Sequence, residues 1–292
     1  MLKIALLTNF NINEKANAAM AVANRLLAQD CKILIAAFHK EKLVRMHKSR
    51  EEFCYLPIDS VYAEADILIV LGGDGTILEA GRRAAQRGIP ILGINLGRLG
   101  YMAELEMNDL DLLSLLFTGD YRLEERSMLR VELLNAAGEL KSFCHALNDA
   151  VISNGSVSRM IELELREGGN PVTTYRADGL IIATPTGSTA YSMSAGGAIV
   201  DPRVSCFCVT PICPHSFIAR PIIFSDDAVL EVKNICNREK MLYLTVDGRM
   251  NFELYRNQIV RITKSNQKTK LIRLKNSDFY RKLRQKMNDT MM

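Results

Sequence analysis

The run Gly72-Gly73-Asp74-Gly75-Thr76 sets a carboxylate among three glycines and a hydroxyl. It follows the apolar, strand-like stretch Asp66–Leu71 and precedes Ile77, Leu78, Ala80, Gly81, Ala84 and Ala85, whose spacing is helical. Asp74 is therefore expected where a strand turns into a helix, the end of an open α/β sheet at which ligands bind. Glycines let a ligand approach the main chain closely, and amides at a helix start favour phosphate. Phosphoryl transfer asks for little more: an acid to orient an acceptor hydroxyl, donors around the phosphates, and magnesium to offset charge. The plain alternative for Asp74 is a helix N-cap, where Asp is favoured. A cap accounts for the acid but not for the glycines around it.

Two further runs carry chemistry-bearing residues. Gly93-Ile94-Asn95-Leu96-Gly97-Arg98-Leu99-Gly100-Tyr101 follows the next strand and reads either as a neighbouring wall of the same crevice or as a turn. The longer run from Arg176 to Gly197 packs Thr184, Thr186, Ser188, Thr189, Ser192 and Ser194 closely together. Such hydroxyls hydrogen-bond a polar ligand without adding charge. Tyr191 adds an aromatic face, while a Ser/Thr-rich surface loop is the other reading. Asn148-Asp149, taken alone, reads as a turn, and Asp247-Gly248 as a hairpin turn. His39, His47, His145 and His215 show no catalytic or ligand spacing.

Other nucleotide and hydrolase chemistries are excluded by pattern. The chain has no G-x-x-x-x-G-K-[ST] and so no P-loop. Gly73-Asp74-Gly75 begins a dinucleotide fingerprint, but Leu78 stands where its third glycine belongs. No G-x-S-x-G elbow is present. Cys206, Cys208, Cys213 and His215 match no common zinc spacing, and the alternation of Cys206 and Cys208 in an apolar run reads as buried structural thiols. No residue is assigned as a metal ligand.

The elements that must hold these residues fall into two rhythms. Lys3–Thr8, Lys32–Ala37, Asp66–Leu71 and Ile89–Ile94 read as strands, separated by helical patterns at Glu14–Ala28 and Thr76–Gln86 and followed by a Leu-rich helix at Asp109–Phe117. Strands alternating with helices predict an α/β domain over residues 1–125, a doubly wound, Rossmann-like parallel sheet. From there short β-forming runs at Leu129–Leu134, Ala150–Ile152, Ile161–Arg166, Leu180–Ala183, Ala228–Lys233, Met241–Val246 and Gln258–Thr263 predict a β-rich, sandwich-like domain over residues 126–264.

The last stretch, residues 265–292, is basic. From Lys264 to Lys286 there are nine Lys/Arg and one acid, Asp278, a local balance of +8; with the whole chain at +4, the remainder carries −4. A basic tail could touch nucleic acid, but the body shows no basic excess, so a solvated, loosely packed segment is the expectation. At 292 residues, 48% hydrophobic and 24% charged, the chain is sized for about two globular domains. No apolar run approaches the ~20 residues that span a bilayer. Seven cysteines, without the density of a disulfide framework, fit reduced thiols and a cytoplasmic protein.

Together these motifs resemble the NAD kinase family, which phosphorylates NAD to NADP. The resemblance is carried, in order, by Gly72–Thr76, Asn95-Leu96-Gly97-Arg98-Leu99-Gly100, Asn148-Asp149, Asp178 through Gly197, and Pro214-His215-Ser216-Phe217. It implies an N-terminal α/β domain, a β-rich C-terminal domain and an active site between them, with the last segment packing back on the first domain. It implies that Asp74 acts as general base toward the 2′-hydroxyl of the adenosine ribose, which attacks the γ-phosphate of a triphosphate with magnesium screening charge. A carboxylate is a weak base, so the contribution is orientation and late proton acceptance. It further implies NAD contacts at Asp74, Gly75, Asn148, Asp149 and Asp178, and at Thr189, Ala190, Tyr191, Ser192, Met193 and Ser194, with Arg159 and Arg176 beside them. A homodimer or homotetramer is implied, without nucleic acid or membrane.

Two positions depart from the family pattern: Arg249 where many relatives carry Gln, and Ala198 where many carry Pro. Two rival readings remain at this point. A bare GGDGT also occurs in diacylglycerol and sphingosine kinase relatives, which lack the long Thr/Ser-Tyr loop. A non-catalytic dinucleotide-binding regulator would keep the loop but has little need of Asp74. ATP and inorganic polyphosphate as donors, and NAD and NADH as acceptors, are not separated by sequence.

Overall fold

The computed structural model describes residues 1–97, 100–155, 160–216, 219–237, 241–275 and 279–289. Arg159, one of the expected NAD contacts, lies outside them, as do Arg98 and Phe217. The chain divides into two compact units, 1–125 with 268–292, and 126–267.

The first unit opens with β1 (Leu2–Leu7), α1 (Asn13–Leu27), β2 (Cys31–Ala36), α2 (Lys40–Arg45), β3 (Phe53–Leu56), α3 (Ile58–Glu64), β4 (Ile67–Leu71), α4 (Asp74–Ala85) and β5 (Pro90–Ile94). A 3-10 turn at Met107–Ser114 leads into the single-turn α5 (Leu115–Thr118). The strands are parallel in the order β5-β4-β1-β2-β3. The strand order reverses between β1 and β4, and this is the point where an open sheet of this kind binds ligands. Central strand β4 is buried along all of its length, Ile-Leu-Ile-Val-Leu, as parallel strands covered on both faces are. Helix α1 buries Ala16, Ala19, Met20, Ala23 and Leu26 at helical spacing against Ile4, Leu6, Ile33 and Ile69.

The second unit runs through the later part of β6 (Arg122–Leu134), β7 (Leu140–Ala146), β8 (Asp149–Ser153), β9 (Ile161–Glu167), β10 (Asn170–Ala177), β11 (Gly179–Ala183), α6 (Tyr191–Ser194), β12 (Cys206–Ile212), β13 (Ile222–Ser225), β14 (Leu230–Asn234), β15 (Met241–Val246), β16 (Met250–Tyr255) and the first part of β17 (Ile259–Arg273). One antiparallel sheet has the order β13-β12-β11-β8-β15-β16. In the other, β10-β9-β14 continues onto Ile259–Ile262 of β17. Ile152, Leu180, Ile182 and Leu244 of the first meet Leu163, Leu165, Val232 and Val260 of the second in one apolar core. The parallel α/β and antiparallel β-rich halves are those the sequence indicates.

Two expectations are corrected. The Leu-rich stretch at Asp109–Phe117 forms a 3-10 turn, started by reciprocal capping between Glu106 and Asp109, and only its end is α-helical. The basic C-terminal stretch is neither solvated nor loose up to Arg273, because β17 continues through it. Lys270 and Leu271 pair in parallel with Pro90 and Ile91 of β5. The chain then forms α7 (Phe279–Asp289) in the first unit.

Candidate active site

Asp74 begins α4 directly after the fully buried β4. Gly73 holds the N-cap position, and no side chain caps the helix. The carboxylate turns instead to the loop after β5. Its Oδ2 accepts the backbone N–H of Tyr101 at 2.8 Å, and its Oδ1 that of Met102 at 3.0 Å. Asp74 is thus not a cap. Two amides of another segment aim it, and its side chain stays 33% exposed. Lys286 of α7 stands 3.9 Å from Oδ2. The same ammonium lies 4.1 Å from the centre of the Tyr101 ring. Burial, and then the nearby Asp74 charge, raises the Tyr101 phenol above its usual range.

The loop that supplies those amides is tied down at both ends. Gly93 of β5 accepts the N–H groups of Glu104 and Leu105 at 2.8 and 3.1 Å, and Asn95 donates to Leu105 at 2.8 Å. Between them Gly100 faces Asp74 so closely that a β-carbon there would lie 2.1 Å from Oδ1. Gly100 and Tyr101 of the second glycine cluster thus stand directly against the acid. Glu104 anchors the far end of this loop. It is almost fully buried, and its Oε1 accepts the N–H of Leu274 and Lys275 at 3.1 and 2.8 Å. Its Oε2 meets Arg273 at 3.1 Å and Lys282 at 3.7 Å.

In the second unit the Thr/Ser-rich run is a compact loop, and most of its hydroxyls are used within it. Thr184 donates to Leu147 O at 2.6 Å and Ser188 to Pro185 O at 2.7 Å, while Thr189 donates to Thr186 O at 3.2 Å. Ser192, expected to contact ligand, faces inward; it is fully buried, and its hydroxyl pairs with that of Thr210 at 3.0 Å. The hydroxyls thus build the loop. Tyr191, Met193 and Ser194 face solvent, and Thr189 and Ala190 are half-buried.

Asn148 and Asp149 lie beside this loop, since Thr184 donates to Asn148 O at 2.8 Å. A β-carbon on Gly187 would meet that same carbonyl oxygen at 2.1 Å. Asp247 and Gly248 form the expected hairpin turn between β15 and β16, with φ of 49° and 65°, the mirror-image type that suits twisted strands. The carboxylate of Asp247 also accepts the N–H groups of Leu147, Asn148 and Asp149 at 2.9, 2.8 and 3.1 Å. No local sequence signal marks this bracket, nor Glu104, because both act across long chain separations. Burial, and then the Asp247 charge, pushes the Asp149 carboxyl up to about 7. Arg176 and Asp178 are exposed, and Arg176 pairs with Glu162 at 2.9 Å. The thiols of Cys206 and Cys208 pack with Val151, Ile181 and Val200, and Cys213 is exposed. Among the described residues, no group of three or more His, Cys, Asp and Glu is arranged to hold a metal ion.

Comparison with known proteins fits this arrangement. Residues 4–121 match the model of the ATP-NAD kinase N-terminal domain, and residues 147–274 that of the ATP-NAD kinase C-terminal domain. An NAD kinase of Thermoanaerobacter sp. (strain X514) is 39% identical over 290 residues, covering 99% of this chain and 100% of the relative. One from Natranaerobius thermophilus is 46% identical over 224 residues, 76% of this chain and 78% of its own. Among solved structures, an Archaeoglobus fulgidus NAD kinase in complex with ATP aligns with a TM-score of 0.69 at 26% identity, covering 98% of both chains. A yeast NADH kinase complexed with NADH shares the fold, with a TM-score of 0.88 at 24% identity over 97% of this chain and 86% of its own. An acid aimed by the amides of a neighbouring loop, a folded hydroxyl loop and full-length similarity converge: this chain belongs to the NAD kinase family.

Proposed function

We propose that this protein transfers the γ-phosphate of ATP to the 2′-hydroxyl of the adenosine ribose of NAD, giving NADP. The observation that carries the reading is the Asp74 carboxylate, turned from its own helix onto the Tyr101 and Met102 amides at the carboxyl end of β4. A carboxylate held by two amides loses little freedom when a hydroxyl docks on it. Asp74 orients that hydroxyl and takes its proton late in the transfer, as phosphoryl transfer requires. Gly75 and the first turn of α4 offer backbone amides to phosphate.

Magnesium would enter with the donor, with oxygen ligands from the phosphates, water and one or two carboxylates. Asp74, whose side chain is partly exposed, is the carboxylate that would hold it. When bound, the ion offsets charge on the transferring group.

In the second unit, NAD is contacted by Asn148, Asp149, Arg176 and Asp178, and by the loop residues Thr189, Ala190, Tyr191, Met193 and Ser194. Tyr191, 47% exposed, offers a ring on which a base or nicotinamide can stack. Ser192 serves by holding the loop on Thr210. The Archaeoglobus neighbour's ATP complex supports a triphosphate donor. The same reading makes the protein a cytoplasmic homo-oligomer. No helix among the described residues is long and apolar enough to cross a membrane.

The test is acceptor choice. With Mg-ATP as donor, NAD is converted to NADP and diacylglycerol is not phosphorylated. Phosphorylation of the lipid in place of NAD would overturn the assignment. Replacing ATP by inorganic polyphosphate in the same assay identifies the donor.

A further inference from the structure

Helix α7 buries an unusual stripe. Among its described side chains, Phe279, Lys282, Leu283 and Lys286 are the half-buried or buried ones, at the i, i+3, i+4, i+7 spacing that normally carries apolar side chains into a core. Two of the four are lysines, residues that resist burial unless their charge is answered. Phe279 sits 6.0 Å from the Tyr101 ring. Lys282 donates to the Ala103 carbonyl and lies 3.7 Å from Glu104, so its charge is spent on anchoring the helix. Lys286, one turn further on, is delivered to the Tyr101 ring and to Asp74 Oδ2.

Aiming Asp74 is already the work of the Tyr101 and Met102 amides. A donor triphosphate, however, must bring its negative charge up to that carboxylate. Like charges a few ångströms apart repel strongly in a partly desolvated site. A cation poised over an aromatic face at the acid answers this need, because charge-assisted bonds to phosphate oxygens are among the strong ones.

We propose that Lys286 is a catalytic residue that binds the terminal phosphate of the donor triphosphate, and that the basic C-terminal helix exists to place it there. The proposal rests on the kinase reading of Asp74. In the transfer the O2′–H bond breaks and its proton passes to Asp74, while a new P–O2′ bond forms. The bond between the γ-phosphorus and the β,γ-bridging oxygen breaks, and its electron pair leaves on ADP. Lys286 gains and loses no proton; it neutralises charge on the γ-phosphoryl oxygens throughout.

The experiment is equilibrium titration of the full-length protein with Mg-ATP in the absence of NAD, and separately with NAD alone, alongside steady-state kinetics. Lys286→Met keeps the length and apolar stem of the side chain and removes only the charge. It is expected to weaken Mg-ATP binding at least about tenfold and to lower kcat, with NAD affinity unchanged. Lys286→Arg is expected to recover most of the loss. Lys286→Gln is read in the same way where the Met variant melts early. Mg-ATP affinity within about twofold of wild type in the Met and Gln variants would overturn the proposal, as would an equal loss of NAD affinity, the mark of a displaced helix. Wild-type protein that makes NADP while these variants bind Mg-ATP normally removes Lys286 alone. Wild-type protein that neither binds Mg-ATP nor makes NADP removes the kinase reading with it.

Discussion

Gly100 faces Asp74 with no room for a side chain: a β-carbon there would lie 2.1 Å from Oδ1 and 2.7 Å from Cγ of the carboxylate. The loop after β5 can hand its Tyr101 and Met102 amides to Asp74 only because residue 100 lacks that atom. Gly100→Ala must therefore push the acid off its amides. Misplacing a catalytic group by about 1 Å can cost about a hundredfold in rate. We expect kcat for NADP formation to fall by about that factor with NAD affinity unchanged. Steady-state kinetics with parallel NAD titration checks it.

Glu104 is the point through which the C-terminal segment holds the catalytic loop. Its carboxylate accepts two backbone amides and faces Arg273 and Lys282, with side chains 1%, 7% and 11% exposed respectively. Removing one partner of a buried ion pair leaves the other charge uncompensated and typically costs about 3–5 kcal/mol. Glu104→Ala is expected to destabilise by about that amount in urea unfolding of the first unit. Full stability in this variant would show that the segment is held by other contacts.

Asp149 makes stability depend on pH in an unusual direction. Its carboxyl is raised from 3.8 to about 7, by burial first and by the charge of Asp247 second. Between those two values the folded chain holds a proton at this site that the unfolded chain has released. Its contribution to stability is thus fully present below the unfolded value and is lost as pH rises toward about 7. The Asp149→Asn variant lacks this contribution's pH dependence. The difference in unfolding free energy between wild type and Asp149→Asn should therefore drift against wild type by a few kcal/mol at most from about pH 4 to about pH 7, and be flat above. Denaturant midpoints at a series of pH values measure it.

Gly187 meets backbone rather than side chain. A β-carbon there would sit 2.1 Å from Asn148 O and 2.6 Å from its carbonyl carbon, atoms that cannot swing aside. Gly187→Ala should push the Thr184–Ser194 loop away from Asn148 and Asp149. We expect NAD affinity to fall by at least about tenfold, equivalent to ~1.4 kcal/mol, with Mg-ATP affinity unchanged. Paired calorimetric titrations separate the two ligands.

Sequence shows what depends on neighbours along the chain. The hydrophobic runs of β1, β2, β4 and β5, the helical spacing after Thr76 and the Asp247-Gly248 turn are all local signals, and the structure contains each of them. Strands β7 and β16, exposed or half-buried at all but one position each, carry too weak a hydrophobic pattern to stand out. The partners of the functional groups are non-local. Asp74 finds its amides 27 and 28 residues away, and Asp247 reaches Leu147 across 100. The Ser/Thr composition of the long loop is visible in the sequence, but its hydroxyls turn inward because a tight loop must satisfy its own carbonyls before it can serve a ligand. The lysines of the C-terminal stretch read locally as a solvated face. Tertiary pairing with Glu104 makes Lys282 structural, and α7 brings Lys286 to Asp74.

The central claim is that Asp74 prepares the ribose 2′-hydroxyl of NAD for phosphorylation. Its most direct test is the rate of NADP formation from NAD and Mg-ATP by wild type and by Asp74→Asn, which keeps the side chain's shape and one of its acceptor oxygens. The account predicts robust NADP formation by wild type, a fall in kcat of about a hundredfold or more in the variant, and unchanged NAD binding. A fully active Asp74→Asn protein would contradict it.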